Sequence, residues 1–250
     1  MNKNFIKIFD SISQPFFCLL LVVASLFISI KWAQFNEIFI VKNVKIEGIN
    51  YFDDTMLVEY KANIENQNIF FSDLRNYKNN IESLDHIKGC KISRVFPKTV
   101  KIEVYEREPL AMISSNDLII LDSEGICLPV EYCEISLPIL SNFKNNQELY
   151  EKGKKTKSSN VLKSIDVIKY SKDTFDSLYD NMSEFIFNED SEYEIILKNG
   201  RTKILLGSSN IFTKIDYLSA FSDVLPEEKT LESYRYIDLR YKSQIVVNEI

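Results

Sequence analysis

With 250 residues and 45% hydrophobic content the chain can bury one large or two modest cores, and a formal charge of −6 argues against a dedicated nucleic-acid binder. Its six glycines form neither a GxGxxG nor a GxxxxGK[ST] pattern, which excludes the phosphate-cradling loops of the common nucleotide folds.

The first predicted element is apolar. Ser11 to Ile30 carries no charge, and from Phe16 onward only Ser25 and Ser29 interrupt the run. Twenty residues rising about 1.5 Å each span roughly 30 Å, the hydrocarbon thickness of a bilayer. Lys31 and Trp32 follow as a snorkelling cation and an interfacial anchor. A cleaved signal peptide and a buried core helix compete with a membrane span. The run exceeds a signal-peptide core, and Trp32-Ala33-Gln34-Phe35 is too bulky for a small-x-small cleavage site. Residues 15–35 are therefore expected to form a transmembrane helix and residues 1–14 a cytoplasmic tail. Lys3 and Lys7 against Asp10, and Lys31 and Lys42 against Glu37, give a weak charge bias, so the orientation follows from a short amino tail and a long folded remainder.

Residues 36–107 read as one small mixed unit. Phe39, Val41, Val44, Ile46 and Ile49 predict a strand with Lys42, Lys45 and Glu47 on its wet face. Asp53 or Asp54 suits the N-cap of a short helix carrying Met56, Leu57 and Tyr60. Ser72-Asp73 suits that of a second, whose Leu74, Tyr77, Ile81 and Leu84 fall on one face. Strands over Ile87–Val95 and Val100–Tyr105 complete a β-α-α-β-β order, with Pro97 and Pro109 bracketing the second. His86, the only histidine, is expected to be a solvated loop residue, and Glu106-Arg107-Glu108 a solvent-facing ion cluster.

Residues 108–250 are strand-rich. Leu110–Ile113 and Leu118–Leu121 flank the turn-prone Ser114–Asp117, and Asp122–Gly125 turns into Ile126–Leu128. The charged stretch Glu148–Ser159 reads as a solvated loop before a helix striped with Val161, Leu162, Ile165 and Ile168. Phe185–Phe187, Tyr193–Leu197 and Lys203–Leu206 are further strands, the last two joined through Asn199-Gly200, a strong hairpin signal. Ile211, Phe212, Ile215, Leu218 and Phe221 mark an amphipathic helix, and Ile245–Val247 a last short strand.

No chemistry is assigned. Catalysis by a serine or cysteine would need His86, which has no acid-rich cleft around it, and the paired carboxylates Asp53/Asp54 and Glu227/Glu228 read as caps and loops. Four cysteines without a CxxC pair make a zinc site unsupported, and Cys127 and Cys133 could form a local disulfide outside the cytoplasm with Cys90 left over. Catalytic, cofactor-binding and metal-binding residues are all expected to be absent.

Several segments carry a resemblance. Arg94-x-x-Pro97, the alternating Val100, Ile102 and Val104, then Glu106-Arg107-x-Pro109-x-Ala111 resemble the end of a POTRA domain in the FtsQ/DivIB family of bacterial cell-division proteins. Val44–Gly48 and Asn68-Ile69-Phe70 are similar to the same domain. Leu121-Asp122-Ser123-Glu124-Gly125, Leu197–Gly200 with Ile204–Gly207 and Lys214-Ile215, and the segment Ile237-Asp238-Leu239-Arg240-Tyr241 resemble signatures of the following β domain. The resemblance implies an α+β architecture: one N-terminal transmembrane helix, a βααββ POTRA domain, then a β domain with a curved, mostly antiparallel sheet and packed helices. It implies a single-pass inner-membrane protein with periplasmic domains, concentrated at the septum. The implied function is a non-catalytic divisome scaffold that links early and late division proteins, binds FtsB and FtsL, and contacts FtsW and FtsI, with no cofactor.

The expected mode of FtsB binding is strand addition to an unpaired edge at the last strand. The expected partner-binding residues are Tyr241, Ser243, Gln244, Ile245, Val246 and Val247, of which Tyr241 and Ser243 match family positions and Gln244 stands where glycine is frequent. Proline at Val246 is then expected to abolish capture while sparing the fold. POTRA domains in general receive partners, so a second surface within 44–107 is also expected. The competing reading is a membrane-anchored POTRA chaperone or secretion component.

Overall fold

The long apolar stretch is helical, forming α1 (Lys3–Phe35). This computed structural model describes residues 3–51, 55–114, 118–129, 136–143 and 147–249, with side chains excepted at 3–16, 56 and 147. The expected caps Asp53 and Asp54, the turn residues Ser115–Asp117, and Cys133 lie outside them. Within α1, Phe17–Phe35 has mean hydropathy 1.9 and is long and apolar enough to cross a membrane. Its large apolar side chains from Phe17 to Trp32 are 52–66% exposed to the medium, which removes the buried-core alternative. The hydroxyls of Ser25 and Ser29 donate to the carbonyls of Val22 and Ser25, so neither polar interruption is left unsatisfied.

The expected β-α-α-β-β order follows: β1 (Asn43–Glu47), α2 (Thr55–Ile64), α3 (Leu74–Glu82), β2 (Ile87–Val95) and β3 (Thr99–Glu106). The sheet order is β1-β3-β2, with β1 parallel to β3 from Asn43↔Thr99 to Glu47↔Glu103. Val100, Ile102 and Val104 are buried and Lys101 and Glu103 are not, as the alternation requires. The first strand starts four residues later than Phe39. Val41 is fully buried, but its N–H and carbonyl are taken by Gln67 and Asn66 instead of a strand partner. Asp73 caps α3 by accepting from Asn76 N–H at 3.2 Å.

Beyond Pro109 come β4 (Pro109–Ser114), β5 (Leu118–Asp122), β6 (Cys127–Leu128), β7 (Ile139–Ser141), α4 (Ser159–Thr174), α5 (Asp176–Asn181), β8 (Met182–Phe187), β9 (Tyr193–Leu197), β10 (Lys203–Gly207), α6 (Ile211–Asp223), β11 (Tyr234–Asp238) and β12 (Val246–Glu249). They form a nine-stranded sheet in the order β12-β11-β10-β9-β8-β7-β4-β5-β6. Its junctions are mostly antiparallel; β10–β11, β4–β7 and β7–β8 are parallel. Helices α4 and α6 pack on it through Val161, Ile165, Ile168, Ile215 and Leu218, against Phe185, Ile195, Ile204 and Ile237. The short β7 and α5 had no counterpart in the sequence reading.

Packing divides the chain into two units that interleave along the sequence. One comprises Met1–Glu47, Asp54–Asn79 and Cys90–Glu103; the other comprises Gly48–Asp53, Asn80–Gly89 and Val104–Ile250.

Within the larger unit the Glu106-Arg107-Glu108 cluster is only in part the solvent-facing group expected: Glu108 is exposed, while Glu106 and Arg107 are partly buried. Glu106 accepts from the N–H groups of Asn50 (2.6 Å) and Tyr51 (3.0 Å). The Arg107 side chain is 16% exposed and pairs at 2.9 Å with Asp122, itself 4% exposed. Glu108 pairs with Lys172 at 2.5 Å. His86 is likewise buried, its carbonyl accepting from Arg107 N–H, and burial pulls its pKa down against the opposing charges of Glu106 and Asp85. Gly125 makes the Asp122 turn possible: its φ is +76°, and a Cβ there would lie 2.5 Å from a Leu162 methyl.

Candidate interaction edge

The last sheet edge is built by a hairpin. β11 runs parallel to β10, and the chain reverses through residues 239–245 so that β12 pairs antiparallel with β11, Asp238↔Val246 and Tyr236↔Asn248. Asp238 organises the reversal. It is 4% exposed, accepts from Arg240 backbone N–H at 2.9 Å, and is gripped by the Arg240 guanidinium at 3.0 Å (Nε to Oδ1) and 2.8 Å (Nη2 to Oδ2). Arg240 also reaches Glu192 at 3.2 Å. Gly207, with φ +75°, leaves room for this: a Cβ there would stand 3.1 Å from Arg240 Cγ.

Burial alone would raise the Asp238 carboxyl, but hydrogen bonds and charge from Arg240 outweigh it and hold the pKa below the ordinary carboxylate value. A depressed folded pKa contributes stability that is present above the unfolded value, about pH 4, and lost as pH falls through the folded one. Asp238→Asn is therefore expected to cost about 1–2 kcal/mol near neutrality, discounted because Arg240 is 41% exposed. Melting curves should show the gap from wild type closing as the pH drops below about 4; a gap independent of pH would mean the ion pair contributes nothing.

Tyr241, Ser243 and Gln244 are exposed on the reversal and Ile245 is partly buried against the core. The left-handed residue is Ser243, with φ +61°. Gln244 has no such requirement, so a side chain is accommodated where glycine is frequent. The structure thus brings Tyr241, Ser243, Gln244 and Ile245 together, while Val246 and Val247 continue into β12.

The pairing direction separates those two valines. Leu239 N–H bonds the Leu205 carbonyl at 3.0 Å, so alternate residues of β11 point toward β10 and the others, Tyr236 and Asp238, toward β12. Their partners Val246 and Asn248 therefore use their backbone groups inside the hairpin, and Val247 turns its N–H and C=O outward. Among the described residues β12 has β11 as its one neighbour, so that outer row is open.

Beside the edge runs a groove of about 1000 Å³ between α6 and the reversal, lined by Lys214, Tyr217, Phe221 and Val224 on one side and by Arg240, Tyr241 and Gln244 on the other. Tyr217 is 56% and Val224 78% exposed. The α6 wall was missed from sequence; its signal was an aromatic and a valine off the buried stripe of Ile211, Ile215 and Leu218. Lys214 Nζ donates to the Leu206 carbonyl at 2.6 Å, and burial pulls its pKa down, partly offset by Glu192 and Asp238. The groove thus combines an apolar wall of Tyr217, Phe221 and Val224 with the cationic groups of Lys214 and Arg240.

Among the described residues no three His, Cys, Asp or Glu side chains are grouped to hold a metal ion. Cys127 is buried, and burial with the Asp122 charge pushes its thiol up to about 11, so it is not a nucleophile near neutrality.

Residues 108–248 match the family described as FtsQ/DivIB, C-terminal related, and residues 39–107 match the POTRA domain, FtsQ-type. The chain is 25% identical to cell division protein FtsQ of Rickettsia bellii (strain RML369-C), over 84% of this chain and 73% of that protein. It is 21% identical to cell division protein FtsQ of Koribacter versatilis (strain Ellin345), over 73% of this chain and 52% of that one. For cell division protein FtsQ of Geobacter sp. (strain M21) the identity is 28%, over 66% and 59%.

Proposed function

The chain belongs to the FtsQ/DivIB family of cell-division proteins, and from that premise we propose that it is a non-catalytic bitopic scaffold of the divisome. In this reading α1 anchors it in the inner membrane with residues 1–14 in the cytoplasm, and the folded units stand in the periplasm at the septum, joining early to late division proteins. The partner is FtsB, held together with FtsL; FtsW and FtsI are further contacts. Family membership leaves the chaperone or secretion reading without support.

The open outer row of β12 carries the proposal. A strand of FtsB adds to it, each main-chain bond contributing about 0.5–1.5 kcal/mol net, while the adjoining groove takes side chains or a helical turn. Tyr241 and Gln244 face that partner from the reversal, Val247 bonds it, and Ile245 and Val246 hold the edge in place from inside.

Capture of the FtsB–FtsL complex of the same organism by the full chain in nanodiscs tests this, against a truncation after Arg240 that removes β12. Loss of capture with the remaining sheet intact by circular dichroism is the expected result. Undiminished capture by the truncation would put the contact elsewhere, and no capture by the folded wild type would remove the FtsB assignment. In cells, depletion should give filaments; depleted outer-membrane proteins without filaments would favour a secretion role.

A further inference from the structure

The rings of Phe39, Phe70 and Phe96 pack together as an open patch, and Phe71 follows Phe70 in the same loop. Phe71 is 86%, Phe96 55% and Phe70 52% exposed, and the Phe70 ring lies between Phe39 and Phe96 with centroids 5.0 and 5.1 Å away. The loop carrying Phe70 and Phe71 is pinned. Ile69 is fully buried and its N–H bonds the Phe39 carbonyl at 2.8 Å, and Asn68 Oδ1 accepts from Phe70 N–H at 3.0 Å. Arg94 closes the loop by donating to the carbonyls of Ile69 (2.5 Å) and Ser72 (2.9 Å). A loose loop could tuck its phenylalanines away; this one holds them out, which is unfavourable in water and favourable against an apolar medium.

Chain length identifies that medium. Phe39 comes four residues after Phe35, the end of the apolar span. The connection is a closed turn, with Asn36, Glu37 and Ile38 N–H bonded back to the Trp32, Gln34 and Ala33 carbonyls. Even fully extended, four residues reach at most about 14 Å. Phe39 and the Phe70 ring packed edge-on against it therefore stay beside the headgroup layer, which is roughly 5–7 Å thick on each side of a bilayer. The cations nearest in the chain, Lys42, Arg94 and Lys98, outnumber the acids Glu37 and Asp73, which suits anionic headgroups.

We propose that Phe39, Phe70, Phe71 and Phe96 form a second membrane contact, seating this unit on the surface of the bilayer that α1 crosses. The proposal rests on α1 being a membrane span, and one experiment separates the two. The full chain is placed in phosphatidylcholine–phosphatidylglycerol vesicles containing lipid brominated near the top of the acyl chain. The wild type has one tryptophan, Trp32, at the end of the span. Trp32→Phe combined with Phe71→Trp, or with Phe96→Trp, moves the single reporter to two exposed positions of the patch where a larger ring is tolerated.

The expected result is blue-shifted emission at both positions, with bromolipid quenching within about twofold of that at Trp32. Solvent-like, unquenched emission at both, with Trp32 quenched, overturns the patch and leaves the span. An unquenched Trp32 removes the span and the proposal with it. Blue-shifted emission without lipid quenching puts protein on the patch, and equally overturns the proposal.

Discussion

Asp122→Ala is expected to destabilise the larger unit by about 3–5 kcal/mol, the combined cost of two lost turn hydrogen bonds and a broken, largely buried ion pair. One carboxylate oxygen of Asp122 accepts from the N–H groups of Glu124 and Ile126, both at 2.8 Å, and the other from Arg107 at 2.9 Å. The substitution therefore releases a turn and strands the Arg107 guanidinium, which has Glu124 as its remaining partner at 3.2 Å. Asp122→Asn keeps an oxygen for the turn and loses only the charge, so it should cost about 1–2 kcal/mol. Thermal melts followed by circular dichroism would show a fall of roughly 10 °C for alanine and a few degrees for asparagine. Equal effects would mean the turn hydrogen bonds contribute nothing beyond the ion pair; an asparagine variant as stable as wild type would mean the ion pair is irrelevant.

What the sequence disclosed and what it hid divide along a physical line. The apolar helix α1, the alternation of Val100, Ile102 and Val104, and the stripes of α4 and α6 were legible because each is a local run or periodicity set by one element meeting one apolar environment. The Asn199-Gly200 hairpin was legible too, although the left-handed positions are Gly200 and Arg201, one residue further on. The three-residue β7 was not. It is parallel to β4 and β8, and parallel partners lie far away in sequence, leaving no turn between them to announce the pairing. The burial of Arg107 and His86 was hidden for a related reason, since their neighbours Asp122 and Glu106 are brought up by the fold and not by the chain. At the candidate edge, the Ile237–Tyr241 segment drew attention by resemblance, but the role of Asp238 in holding Arg240 and the division of labour between Val246 and Val247 depend on register. One residue of slip would exchange them.

That register sets the sharpest test of strand addition. Val247→Pro is expected to weaken capture of FtsB by roughly a hundredfold or more, through a lost ladder bond of about 0.5–1.5 kcal/mol and a ring in the path of the incoming strand, where each 1.4 kcal/mol is tenfold. Stability should change by no more than about 0.5 kcal/mol, because the N–H removed faces outward and the Val247 side chain is 36% exposed. Proline at Val246, the position singled out from sequence, is a different experiment. It deletes the bond to Asp238 inside the hairpin, so it should release β12 as well as capture, and amide exchange at Tyr236 and Asp238 would speed up. If Val247→Pro binds FtsB as wild type does while Val246→Pro does not, the partner needs an intact hairpin but not its outer row, and the contact lies in the groove beside α6. If both lose binding and only Val246→Pro loses protection, the outer row of β12 is where the partner strand adds.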